Sequence, residues 1–178
     1  MVNFVIILEW FGICLTAIAL FLLLNGDGAR EQKLLIMIMC GSLVQNIGYL
    51  LELTAPVMEA AMTAVTMEKV GSAFTPLCYC WFIYIYCSVT PPKVLLRMIG
   101  AVSFFSLPVV IFNWHGLFYR EVRWVEGADG FCHISLDYGP LYVFFTVVQV
   151  MIPCVLCIFT LMRAVRERTD RQVNRQYR

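Results

Sequence analysis

Gln45, Tyr49 and Glu52 recur at i, i+4 and i+7 in an otherwise apolar stretch, so they share one helical face. Glu68, Ser72, Thr75 and Tyr79 fall at i, i+4, i+7 and i+11, a second polar stripe. Thr146, Gln149, Pro153 and Thr160 lie roughly along one side of a third stretch. Three polar stripes at similar depth predict a common cavity nearer the outer leaflet. The competing reading is interhelical hydrogen bonding that glues a bundle, at roughly 0.6–2 kcal/mol per contact in lipid. Ionisable groups weigh more. A charge at the bilayer centre costs roughly 2.5–3.5 kcal/mol even on lenient scales, so such groups face an interior or water and carry partners. Glu52, Glu68 and Lys69 sit close to a predicted outer boundary, where that cost is smaller, and their spacing allows a Glu52–Lys69 pair.

His115 and His133 flank the long polar segment, with Cys132 beside His133. A metal site needs three or four ligands at suitable spacing, and here the ligand types are present but their spacing is not diagnostic. The other seven cysteines fall inside apolar runs, where they read as small apolar packing residues rather than a secreted disulfide framework. Cys154 and Cys157 place two thiols about one turn apart, a weak redox signal within an apolar helix. No phosphate-binding loop, nucleophile elbow, zinc-protease motif or dinucleotide fingerprint occurs, so neither catalysis nor a cofactor is expected.

The elements that position these residues emerge from composition. Hydrophobic residues make up 61% of the 178, against roughly 45–50% in soluble domains. Mean hydropathy is +0.78. A small soluble domain cannot hide that much apolar surface, whereas lipid solvates it. Five apolar runs, at about 4–24, 34–53, 61–89, 94–112 and 141–162, approach or exceed the roughly 20 residues that a helix needs to cross the hydrocarbon. Helices satisfy every backbone amide within their own segment, and the sequence reads as without strand-like alternation. The reading is therefore an all-α polytopic transmembrane helical bundle, with an outer loop at 113–140 and Pro76, Pro108 and Pro153 as kinks rather than breaks.

Lys and Arg set the orientation. Arg30, Lys33, Lys93, Arg97, Arg163, Arg166, Arg168, Arg171, Arg175 and Arg178 fall on one side, and Arg120 and Arg123 on the other. The positive-inside rule then puts the N-terminus outside and the C-terminus in the cytoplasm of a multi-pass protein of the cell inner (plasma) membrane. The basic tail 163–178 reads as a cytoplasmic helical extension near anionic lipid, with i, i+4 pairs such as Glu167 with Arg171, rather than as a nucleic-acid site.

Several stretches together carry a family resemblance: Asn46-Ile-Gly-Tyr-Leu-Leu-Glu52-Leu-Thr54, Glu68-Lys69-Val-Gly71 followed by Phe74-Thr-Pro76, Asn113-Trp-His115-Gly-Leu-Phe118-Tyr119, and Gly130-Phe-Cys-His133 leading to Tyr138-Gly-Pro140. In this order the chain resembles the N-terminal seven-transmembrane sensor region of bacterial histidine kinases and diguanylate cyclases. The resemblance spans nearly the whole sequence but covers about five of the seven helices, as expected of an amino-terminal part of a larger receptor. It implies a two-component type of input module for an unknown small-molecule ligand, a cytoplasmic output domain in cis or trans, and a homodimer. The polar groups expected to line or close the site are Glu52, Glu68, Lys69, Asn113, His115 and His133, with Tyr49 and Tyr79 as walls. The alternative is a transporter or channel subunit, which the polar stripes also fit but for which no inverted repeat is visible.

Overall fold

The computed structural model describes residues 2–26, 28–126 and 132–176. The apolar runs fold as helices α1 (Val2–Leu24), α2 (Arg30–Leu53), α3 (Met58–Ser72), α4 (Thr75–Tyr86), α5 (Lys93–Phe112), α6 (Pro140–Thr146) and α7 (Ile152–Gln176). Four stretches are long and apolar enough to cross a membrane: Phe4–Leu24, Arg30–Leu53, Lys93–Phe112 and Pro140–Arg166. Their outer surfaces are those of a lipid-solvated bundle. Phe4, Phe11, Phe21, Met98, Phe105 and Phe159 all stand more than half exposed, an arrangement that water would penalise.

The predicted third span is not one helix. Its α3 and α4 parts meet at Ala73 and Phe74, which keep helical backbone angles while the hydrogen-bond ladder is interrupted. Pro76 is the cause, because its nitrogen has no proton for the carbonyl four residues earlier and its ring crowds that carbonyl. Together α3 and α4 still run the depth of the bundle. Ala61 and Val65 of α3 belong to one buried cluster with Val110, Phe118, Tyr119, Ile134 and Phe145. Cys80 and Tyr84 of α4 belong to a second, with Leu96 and Ile99. The first cluster lies beneath the hairpin and the second lies toward the opposite end of the bundle.

The contact between α2 and α3 is built on glycine. A methyl group at Gly48 would lie 2.7 Å from the Glu68 backbone nitrogen, and one at Gly71 would lie 2.6 Å from that of Gln45. Gly41 faces Gly71 in the same seam. Small residues let two membrane helices bring their backbones together, where dispersion and polar contacts replace the hydrophobic drive that lipid does not supply.

The segment expected as a loop contains an antiparallel hairpin, β1 (Tyr119–Glu126) and β2 (Cys132–Tyr138). Period-two alternation was present after all. Val122 and Trp124 pair with Leu136 and Ile134, and these four side chains turn onto the outer cluster. Arg123 faces outward between Glu121 and Asp137, and its bond to the Glu121 carboxylate holds that group below the usual range. The strands are short and cover helix ends, so the bundle remains an all-α architecture.

Tyr119 is 1% exposed beneath the hairpin, and its hydroxyl has no hydrogen-bond partner among the described residues. Burial, then the Glu68 carboxylate, pushes its ionisation well above the ordinary phenol range. Tyr119→Phe is therefore expected to leave stability unchanged or raise it by about 1 kcal/mol, since an unsatisfied polar group is removed from an apolar site. A thermal melt showing a clear loss would reveal a partner for that hydroxyl.

Candidate functional site: a polar cavity beneath the outer cluster

A cavity of about 270 Å3 opens among α2, the α3–α4 junction, α5 and α6. Five residues of the three polar stripes meet on its wall: Gln45 from α2, Ser72 and Thr75 from the junction, and Thr146 and Gln149 from the end of α6 and just beyond it. Lys69 supplies a cation, and Phe118, Tyr142 and Phe145 supply an aromatic wall. The volume lies just under the roughly 300–1,000 Å3 of ordinary small-molecule sites.

Local backbone features place these groups. Thr75 donates its hydroxyl to the Gly71 carbonyl at 3.0 Å, which secures the junction next to Pro76. Gly71 brings α3 against the Gln45 backbone, so Gln45 and Ser72 end on the same wall. Between α6 and α7 the chain makes a π-turn over Val147–Met151, in which the Ile152 amide donates to the Val147 carbonyl. Pro153 comes next and has no proton to offer the Gln149 carbonyl, so an ordinary α-helical ladder is already incomplete there. Such bulges recur at functional sites. Gln149 sits on this turn and donates through Nε2 to Ser106 Oγ at 2.6 Å, and Ser106 donates on to the Ser103 carbonyl at 2.7 Å. Sequence reasoning missed Ser106 as a polar lining residue, as it missed the aromatic wall of Phe118, Tyr142 and Phe145. The available signal was Ser103 and Ser106 three apart on an otherwise apolar helix.

Of the residues singled out from the sequence, Lys69 lines the cavity and Glu68 holds it through an ion pair, Nζ to Oε1 at 3.2 Å. Lys69 is thus paired with its neighbour Glu68. Glu52 lies at the outer end of α2, and its charge is among those acting on Tyr119. Tyr49 and Tyr79 are 38% and 44% exposed and stand off the cavity wall. Asn113 closes α5 in a left-handed conformation, φ 39° and ψ 47°. Its side chain accepts from the Phe118 and Tyr119 amides at 3.3 and 2.9 Å and donates to the Tyr119 carbonyl at 3.0 Å. His115 is exposed in the turn after α5, with φ 51°. The His133 and Cys132 side chains, and those of the tail that include Glu167 and Arg171, lie outside the described residues.

The motif residues of the outer segment thus form a clasp. Gly139 donates to the Phe118 carbonyl at 2.8 Å and Leu141 to the Leu117 carbonyl at 3.1 Å, so both ends of the hairpin are tied at its base. Tyr138 and Tyr142 stack with ring centroids 3.8 Å apart, and Phe118 meets Tyr142 edge-on at 5.4 Å. The clasp is the roof of the cavity, since Phe118 and Tyr142 line it.

The described residues thus form a multi-pass helical membrane bundle whose broken helix, π-turn and clasped hairpin surround a polar cavity. The chain belongs to the family described as the N-terminal 7TM region of histidine kinase, which it matches over residues 5–178. No curated protein and no solved structure matches it. Its family makes it a sensory input region, which is a non-catalytic part of a signalling protein with a cytoplasmic output domain.

Proposed function

We propose that the chain senses a small polar molecule that reaches the outer cavity from outside the inner (plasma) membrane or from its outer leaflet. The observation that carries this reading is the convergence of Gln45, Ser72, Thr75, Thr146 and Gln149 on a single cavity wall with Lys69, which is paired to Glu68. Hydroxyls and amides that both donate and accept suit an uncharged or weakly anionic ligand carrying several hydrogen-bonding groups. Glu52, Tyr49, Asn113, His115 and His133 then belong to the outer end through which the ligand passes, whereas Tyr79 lies on α4, inward of Thr75.

The π-turn is the element that such a ligand biases. Conversion of one π-turn to α-helix rotates the downstream helix by about 100° and shifts it by about 1.5 Å. Because α7 continues directly from this turn to Gln176, the shift reaches the cytoplasmic end, from which the remaining helices of the family's bundle pass it to the output domain, in a homodimer or alone. A ligand acts here only through different affinity for the two arrangements. The inner cluster around Cys80, Tyr84, Leu96 and Ile99 packs beneath the cavity, which favours a receptor over a channel.

The test has two arms on the chain in nanodiscs. A panel of small polar molecules is screened by thermal shift. A true ligand at about 100 times its Kd stabilises by roughly 2.7 kcal/mol, and Gln149→Leu abolishes that gain. Deletion of Val148, which removes the extra residue of the π-turn, is expected to alter amide exchange across residues 163–176. Unchanged exchange in that segment rules out the π-turn as the transmitting element.

A further inference from the structure

A second and larger cleft, of about 490 Å3, opens at the opposite end of the bundle, between the start of α2, one side of α4 and the start of α5. Three cations edge it: Arg30, the first residue of α2, and Lys93 and Arg97, one turn apart on α5. Lys93 and Arg97 share a face by their i, i+4 spacing. None of the three takes part in an ion pair among the described residues. Glu31 lies beside Arg30 in the sequence but is not on the cleft wall. The deeper wall is apolar, with Leu77, Trp81 and Leu96. On the flank of the same helix Val94 and Met98 stand 72% and 60% exposed, so the cleft is bordered by lipid-facing surface.

A solvated charge cluster needs no apolar cleft behind it, and topology alone needs no convergence of cations from two separate connectors. We propose that this cleft binds the phosphate headgroup of an anionic phospholipid of the inner leaflet. Arg30 and Arg97 offer planar forks that match phosphate oxygens, and Lys93 adds a compact charge. The first stretch of an acyl chain lies against Leu77, Trp81 and Leu96. Basic pockets between membrane helices on the cytoplasmic side are a recognised setting for such headgroups. The assignment rests on the Lys and Arg orientation and is independent of the outer cavity. A bound lipid would join α2, α4 and α5 at the end where movement of the bundle is read out.

The test is native mass spectrometry of the full chain released from vesicles of equal phosphatidylglycerol and phosphatidylcholine. Retained phosphatidylglycerol is expected to exceed phosphatidylcholine. Each of Arg30→Gln, Lys93→Gln and Arg97→Gln is expected to lower that preference by about five-fold, and the triple variant by about 100-fold. Arg166→Gln, a neutralisation elsewhere on the cytoplasmic side, is expected to leave it unchanged. A second readout uses a chain in which Trp10, Trp114 and Trp124 are replaced by Phe. Brominated phosphatidylglycerol should quench the remaining Trp81 more than brominated phosphatidylcholine does. Equal retention of the two lipids, or a triple variant that keeps the preference, overturns the proposal. Displacement of the lipid by millimolar glycerol phosphate overturns it as well, because it would assign the cleft to a soluble phosphate.

Discussion

Gly71→Ala is expected to loosen the seam between α2 and α3 and to lower stability by about 2 kcal/mol or more. Alanine ordinarily helps a helix, by roughly 0.5–1 kcal/mol relative to glycine, so the sign must come from packing. The added carbon would lie 2.6 Å from the Gln45 nitrogen, 2.8 Å from the Gly41 carbonyl oxygen and 3.1 Å from the Val44 carbonyl carbon. All three neighbours are backbone, so no rotamer change relieves the clash and the helices must separate. Overpacking of this kind costs roughly 1–3 kcal/mol, and the lost interhelical contacts add to it. Gly12→Ala provides the control, because its nearest neighbour is the end of the Asn46 side chain at 4.0 Å. Unfolding titrations in mixed micelles should show a lower midpoint for Gly71→Ala and an equal or higher one for Gly12→Ala. Equal midpoints would mean that the seam yields freely. Since the same seam puts Gln45 beside Ser72, Gly71→Ala is also expected to weaken any ligand of the outer cavity.

Asn113→Ala is expected to cost about 2–4 kcal/mol and to release the hairpin from the bundle. The side chain answers two backbone amides and one carbonyl where the chain leaves α5, and a buried amide left unanswered costs roughly 1–3 kcal/mol. Alanine also tolerates the left-handed conformation poorly, at roughly 1–2 kcal/mol, whereas asparagine visits it routinely. The components can be separated. Asn113→Gly removes the hydrogen bonds but keeps the conformation, so it should fall between wild type and alanine. Asn113→Asp keeps the acceptor and loses the donor, so it should be the mildest. Trp124 packs against the outer cluster and reports the hairpin by its fluorescence. An alanine variant within about 0.5 kcal/mol of wild type, with Trp124 emission unchanged, would mean that the strands hold the roof without the cap.

How much of this was legible in the sequence depends on the range of the interaction. Gln45, Ser72, Thr75, Thr146 and Gln149 were visible as stripes because side chains three or four apart share a helical face wherever that helix is placed. Asn113 and His115 stood out as polar groups in the outer segment, but their backbone conformations were not readable. Asn113 spends its side chain on the chain's own amides and His115 stands in the solvent, both with positive φ. The hairpin was missed because Val122, Trp124, Ile134 and Leu136 make two short alternating runs, a faint signal beside twenty-residue apolar ones. Pro76 was read as a kink because proline in a membrane helix gives either outcome, depending on what else supports the freed carbonyl.

The sequence by itself determined that the chain is a membrane-spanning helical bundle, because hydrocarbon imposes its conditions segment by segment. An apolar run of sufficient length inserts, its amides pair within it, and basic connectors stay on the cytoplasmic side, none of which requires knowing the neighbours. Only the tertiary structure decided which polar faces meet. That choice depends on glycines that set the distance between α2 and α3, on a π-turn that aims Gln149 at Ser106 across 43 residues of chain, and on a hairpin folded back over the outer helix ends. Each is a contact between distant segments, and its energy exists only once the helices have packed.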